Sequence, residues 1–480
     1  MIKDLNPKLL WKHFYNISQI PHPSKKEEKL IKYLVDFAIE QKLEYKLDEV
    51  RNVLIKKSAT NGKENSPTTV LQSHIDMVCE KNEDVEHDFD NDPLKLIIED
   101  EWVTADGTTL GADDGIGVAA SLAVLEENTI EHGNIECLFT VDEETGLNGA
   151  NGLKKDFVSG NLLLNLDSEE EGAVYIGCAG GKSTLLHKKI VPIKPTDVEI
   201  IYNIKLSGLQ GGHSGLVINK GLGNAVILLA RFLWNINAKI DFSLFSFDGG
   251  DKHNAIPREA NAIIGIKQHD EPLLDTEIKK YIEIYRHEFR KIDENVDISK
   301  KKVEHEGNVF NESDKGTLLN LLYSFPAGVF AMSKDIHGMV ETSTNLASVT
   351  YAEDTIKILT SQRSSVASSI KDISDKIISF GILAGYEYET DDPYPSWTPN
   401  PDSKLLKKVQ NVYKKTFSGD ISVKAVHAGL ECGIIGDKYP DMDMVSFGPT
   451  VEGAHSPDER LKISSVENFW LLLKGILEEI

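Results

Sequence analysis

The sequence predicts an α/β protein: a mixed sheet sandwiched by helices, interrupted by an inserted α+β domain. Three observations carry this. Strand-like and helix-like runs alternate up to about residue 180, longer β-rich runs replace them to about residue 390, and the alternating style then returns. Strands alternating with helices imply a largely parallel or mixed sheet covered by helices. The pattern sets the first domain at 1–187 and 391–480, and the inserted, lid-like domain at 188–390.

In order, "TTVLQS" (68–73), "NIECLFTV" (134–141) and "NLLLNL" (161–166) are short apolar runs bounded by turn residues, and read as strands. "GIGVAASLAVLEE" (115–127) reads as the helix between the first two. The insertion carries the strand-like "EIIYNIKLSG", "ANAIIGIKQ", "TSTNLASVTY" and "TIKILTSQRSS", and the helix-like "TEIKKYIEIYRHEFRKI". Proline-rich "DDPYPSWTPNPDS" (391–403) is a stiff connector. After it come the helix "KLLKKVQNVYKKTF", a short strand near "MDMVSFG" and the closing helix "SSVENFWLLLKGILEEI".

At 480 residues two or three domains are expected. A net charge of −24, from 52 basic and 76 acidic residues, disfavours nucleic acid and anionic membranes as partners. No window approaches the ~20 apolar residues of a membrane span, and the N-terminal stretch has no signal-peptide core. Cys79, Cys137, Cys178 and Cys432 lie far apart and form no CxxC pair. They are expected to be reduced packing residues of a cytoplasmic protein.

Five stretches place metal-ligating or acid/base side chains just past a predicted strand or beside a turn. They contain His74 and Asp76 ("LQSHIDMVCE"), Asp113 and Asp114 ("LGADDGIG"), Glu143 and Glu144 ("FTVDEETGLNGA"), Asp167 ("LLNLDSEEEG") and His455 ("GPTVEGAHSPDER"). Each alone has a plainer explanation: helix capping for the paired aspartates, solvated polar loops for the rest. Together, at the carboxyl ends of strands where α/β sheets collect ligands, they point to a metal site.

The motifs "SHIDMV", "GTTLGADDGIGVAA", "DEETGLNGA", "LSGLQGGHSG" and "HAGLECG" resemble the co-catalytic zinc metallopeptidases of the aminoacylase/carboxypeptidase type, and within that group the bacterial cytosolic dipeptidases. The resemblance implies a zinc-exopeptidase-like fold and a hydrolase of dipeptides with a free N-terminus, Xaa-His among them. It implies two divalent ions, most naturally Zn2+, with Mn2+ or Co2+ also suited to nitrogen and oxygen donors. By the same resemblance Asp113 bridges both ions, His74 and Asp167 complete one site, and Glu144 and His455 the other. A cis peptide follows the bridging aspartate in that family.

Two ions about 3.5–4 Å apart activate a water and relieve charge on the carbonyl oxygen. Two Zn2+ against the carboxylates of Asp113, Asp167 and Glu144 and one hydroxide give a neutral site. Asp76, two residues beyond His74, is expected to accept the proton of the non-ligating imidazole nitrogen. Glu143 and Glu144 point oppositely if extended, which suits one free base and one ligand, so Glu143 is the expected general base. Asp114 is a cap or a support for its neighbour.

The insertion is expected to read the substrate. His213 in "GLQGGHSG" resembles the family's lid histidine, which reaches the scissile carbonyl oxygen. Arg363 in "ILTSQRSSV" is a candidate clamp for the substrate carboxylate, or else half of a structural ion pair. Asn254 is a candidate carboxylate or carbonyl partner, and Glu431 in "HAGLECG" a candidate holder of the free α-amine. A tripeptidase or N-acyl amino acid deacylase with the same centre is the nearest alternative. A metal- or peptide-binding protein without catalysis is the alternative of another class, which retention of Glu143 opposes. Monomer and homodimer are both compatible with the large insertion.

Overall fold

The computed structural model describes residues 2–480. The chain divides into two compact units. One takes the chain up to Cys178 together with Trp397–Ala425 and Leu430–Ile480; the other is Ala179–Ser396 with Val426–Gly429. The boundaries fall differently from 187/188 and 390/391. Gly180–Lys189 is a strand paired along its whole length with Thr355–Ser364 in the second unit. Gly181 and Tyr394 exchange backbone hydrogen bonds there as well, keeping 391–396 with that unit. The 187/188 boundary thus falls inside the strand Gly180–Lys189.

The first unit is built on an eight-stranded sheet in the order Glu44–Leu47, Val53–Lys57, Ile135–Thr140, Thr69–His74, Leu162–Asn165, Asp443–Ser446, Ala173–Cys178, Ser422–Val426. The four central strands, from Ile135–Thr140 to Asp443–Ser446, run parallel. Every residue of Thr69–His74 and Ile135–Thr140 is buried, as expected for parallel strands covered on both faces. Helix Ala112–Glu126 lies against the sheet and is buried along nearly its whole length. Its small residues allow close packing with helix Lys8–Ser18, where the Cβ position of Gly115 stands 3.6 Å from Phe14. Cys137, Cys178 and Cys432 are buried free thiols, and Cys79 is partly buried.

A four-stranded side sheet, Val451–Glu452, Arg460–Lys462, Trp102–Ala105 and Leu96–Glu99, joins the C-terminal segment to the chain leading into Asp113. Val451 pairs with Leu461 and Arg460 with Thr104, so residues 453–459 form the loop between two paired strands.

The second unit is a nine-stranded antiparallel sheet in the order Asp297–Lys302, Ile200–Ser207, Ala260–Ile266, Ser243–Gly249, Val340–Ala352, Thr355–Ser364, Gly180–Lys189, Glu387–Thr390, with Gly328–Met332 beside Val340–Ala352. Ile200–Ser207 alternates buried and half-buried residues, the pattern of a sheet packed on one face. Helices Ala225–Ile236, Glu271–Glu288 and Glu312–Ser324 contribute Leu229, Phe232, Leu274, Tyr285, Leu318 and Leu322 to its core. The lysines of edge strand Asp297–Lys302 ("DISKKK") guard an otherwise open edge.

Candidate metal centre

Strand ends of the first unit deliver the candidate donors. Thr69–His74 ends on His74; Ile135–Thr140 runs into Glu143 and Glu144; Leu162–Asn165 runs into Asp167; Asp443–Ser446 leads to the His455 loop. Asp113 enters from the start of the buried helix. There Gly111 adopts φ +66, a left-handed turn that a side chain disfavours, and the Asp113–Asp114 peptide is cis. The backbone at Asp113 and Asp114 is not helical, so the regular helix begins at Gly115. Asp114 is its cap: Oδ1 accepts from the Gly117 amide at 3.2 Å, and a Cβ on Gly117 would stand 2.4 Å from that carboxylate.

The geometry around Asp113 is two-sided. Oδ1 stands 3.1 Å from His74 Nε2, and Oδ2 stands 3.1 Å from His455 Nε2. The same His74 nitrogen is 3.4 Å from Asp167 Oδ1, and the same His455 nitrogen is 3.1 Å from Glu144 Oε2. The structure therefore brings together all five donors that the sequence nominates. His74, Asp113 and Glu144 each present a ligand atom within 4.8 Å of the others. Donors about 2.0–2.1 Å from a tetrahedral cation stand about 3.3 Å from one another, so these separations fit a divalent ion. Glu144 Oε1, buried without a hydrogen-bond partner, is a further donor that the protein itself leaves unused.

The electrostatics agree with a cation-binding set. Burial and the neighbouring Asp113 and Glu431 charges push the Asp167 carboxyl up to about 7, against the pull of His74. Burial likewise raises Glu143 well above the carboxylate range, and the Asp167, Glu431 and Glu144 charges add to this. At Asp113 burial opposes ionisation, yet hydrogen bonds from His455 and His74 hold the carboxyl below its ordinary range. Enclosed carboxylates that repel one another are stabilised by a shared cation.

Asp76 differs in detail from expectation. His74 Nδ1 lies nearer the Asp76 backbone carbonyl (3.0 Å) than its carboxylate (3.5 Å). The carboxylate instead accepts the amides of Glu143 (2.9 Å) and Glu144 (3.2 Å), one on each oxygen. Asp76 thus orients His74 through its main chain and holds the glutamate pair through its side chain. Glu143 and Glu144 open a tight turn after Asp142 (φ +48), in which the Glu143 carbonyl accepts the Gly146 and Leu147 amides, and do not lie in a strand.

Glu431 lies inside the first unit. It is fully buried at the first position of helix Glu431–Lys438, with Oε2 accepting from Gln72 Nε2 (2.6 Å) and Thr140 Oγ1 (2.7 Å). The carboxylate braces two central strands through Oε2, while Oε1 is buried without a hydrogen-bond partner.

In the second unit, Gly212–His213 pairs with Ala255–Ile256, and the Ser214 amide donates to the Asn254 carbonyl at 2.8 Å, setting His213 and Asn254 side by side. A Cβ on Gly215 would meet the His427 carbonyl at 2.2 Å, Arg363 Nε at 3.1 Å and His213 Cε1 at 3.1 Å, so glycine is what lets these groups converge. His213 Nδ1 accepts the amides of Gly215 and Leu216, both at 3.1 Å, which leaves the proton on Nε2. Burial, then the Arg363 and His253 charges, lower its pKa to about 4. Arg363 is buried; Nη1 donates to Tyr394 Oη at 2.7 Å, and Nε has no hydrogen-bond partner. Asp293, which no motif flags, accepts the amides of Gln210 (2.7 Å) and Gly223 (2.8 Å) and so pins both ends of the His213 loop.

A mixed sheet with imidazole and carboxylate donors at the ends of its parallel strands defines a metallohydrolase-like centre. The chain belongs to peptidase family M20/M25/M40, which residues 70–479 match. It is 41% identical over 483 residues to the cytosol non-specific dipeptidase of Escherichia coli (strain K12), covering 100% of this chain and 99% of that one. The crystal structure of aminoacylhistidine dipeptidase from Vibrio alginolyticus superposes with a TM-score of 0.92 at 42% identity, covering 100% of this chain and 98% of that one. A tripeptidase from Staphylococcus aureus matches at 18% identity and a TM-score of 0.56, covering 99% and 98% of the two chains, and shows the shared fold alone. No helix among the described residues is long and apolar enough to cross a membrane.

Proposed function

We propose that this protein is a cytoplasmic dipeptidase of broad specificity that works with two divalent ions, Zn2+ first among them. The carrying observation is that Asp113 presents one oxygen to each of two histidine–carboxylate pairs, His74 with Asp167 and His455 with Glu144. The full-length relatedness to a cytosol non-specific dipeptidase and an aminoacylhistidine dipeptidase supports the substrate class.

Bound at these donors, the ions supply Lewis acidity toward the scissile carbonyl and make a water acidic near neutral pH. The remaining work belongs to the protein. Glu143 takes the water proton and passes it to the leaving nitrogen. Asp76 keeps Glu143 and Glu144 in register through their amides. His213, neutral and protonated on Nε2, donates to the carbonyl oxygen as negative charge grows there. Arg363 holds the substrate carboxylate and Asn254 hydrogen-bonds beside it.

With Zn2+ supplied, dipeptides are expected to be cleaved well, and tripeptides and N-acetyl amino acids poorly. Preferred turnover of either of the latter classes moves the assignment to a tripeptidase or deacylase. Arg363→Ala is expected mainly to raise KM for a dipeptide with a free carboxylate, while amidation of the substrate adds little further penalty. His213→Ala is expected mainly to lower kcat, by about 10²–10³-fold, as for loss of one oxyanion donor. Steady-state kinetics on both variants with a free and an amidated dipeptide check this. The roles fail if the Arg363 variant still prefers the free acid as strongly as wild type, or if the His213 variant keeps its kcat.

A further inference from the structure

Glu459 belongs to no site described so far, yet it is the most heavily engaged carboxylate near the metal donors. It is buried, and Oε2 accepts the amides of Leu110 (2.7 Å) and Gly111 (3.0 Å). Oε1 accepts those of Ala112 (2.7 Å) and Asp113 (3.3 Å). Four consecutive amides therefore converge on one side chain, and the last belongs to Asp113 itself. These amides form the left-handed turn at Gly111, whose N–H groups no regular helix or strand would satisfy.

Glu459 also sits at the far end of the loop that carries His455. That loop is closed by the pairing of Val451–Glu452 with Arg460–Lys462, and His455 within it has φ +62. Arg460 in turn pairs with Thr104, on the strand leading toward Asp113. The two loops are thus joined twice, by a strand pair and by the Glu459 carboxylate next to it.

We propose that Glu459 is a positioning residue that fixes the Asp113 loop against the His455 loop, and so sets the site formed by Asp113, Glu144 and His455. The proposal rests on the reading of Asp113 and His455 as ligands. The chemistry is specific to a carboxylate: four N–H donors need two oxygens that only accept. A glutamine turns an N–H2 toward two of those donors, so half of the clamp becomes repulsive. Outer groups that orient metal ligands typically change metal affinity by about 10–100-fold.

The test is Glu459→Gln compared with wild type by chelator competition, total metal analysis and the visible spectrum of the Co2+-loaded protein. Both ions are expected to weaken, the one held by Glu144 and His455 by about 10–100-fold and the other by less, with the apo forms alike in far-UV circular dichroism. Wild-type affinity for both ions overturns the proposal, and so does weakening confined to the ion held by His74 and Asp167. Should the variant fail to fold, hydrogen exchange on the wild-type apoprotein decides. Protection of the Leu110–Asp113 amides comparable to that of the central strands supports the clamp, and rapid exchange overturns it. Failure of the underlying ligand reading looks different: wild type itself would then not bind two ions.

Discussion

Glu143→Gln is expected to lose about 10²–10⁴-fold or more of turnover while keeping both ions. The structure explains why the two effects separate. The Glu143 main chain is held through its amide to Asp76, not through its side chain, so glutamine enters an unchanged turn. None of the close donor contacts around Asp113 involves the Glu143 side chain. What disappears is the capacity to accept a proton. Burial also raises the glutamate above the ordinary carboxylate range. Side-by-side kcat measurement and metal analysis check the expectation. Near-normal kcat in a fully loaded variant assigns the base elsewhere.

Asp113→Ala is expected to strip the protein of metal altogether. Each Asp113 oxygen faces a different histidine–carboxylate pair, so one truncation removes a donor from both. It also leaves His74 beside Asp167, and His455 beside Glu144, without the group that joins them. After gentle dialysis wild type is expected to retain about two equivalents and the variant close to none. His455→Ala makes the instructive contrast, since it removes a donor from one side only. Full metal content in the Asp113 variant refutes the bridge.

The five candidate donors were legible in the sequence because His, Asp and Glu beside strand ends and turns sit in short local motifs, and it is the family resemblance of those motifs that implies the ligand set. Their convergence follows from the rule that parallel strands present their carboxyl ends together. The helix after Asp113 and Asp114 is local in the same sense: a run of small and apolar residues behind an acidic cap. The inserted α+β domain shows as a change in the length and composition of β-rich runs. Its edges shift by several residues because only the pairing of Gly180–Lys189 with Thr355–Ser364 shows to which unit that strand belongs.

Other roles depended on partners far away along the chain. Glu459 and Leu110 are separated by 349 positions, and nothing in "HSPDER" says which amides its carboxylate will receive. Glu431, a reasonable ammonium holder by composition, is taken up by Gln72 and Thr140 on two strands that the chain completes long before it. Asp76 keeps its carboxylate 3.5 Å from His74 Nδ1, and a tight turn also brings the Glu143 and Glu144 amides to it. Residue type and local spacing thus determined by themselves which groups could bind metal and where the chain would form strands. Which donor each carboxylate serves was decided only by tertiary structure, because a hydrogen bond depends on ångström-scale approach between segments whose separation along the chain carries no information about it.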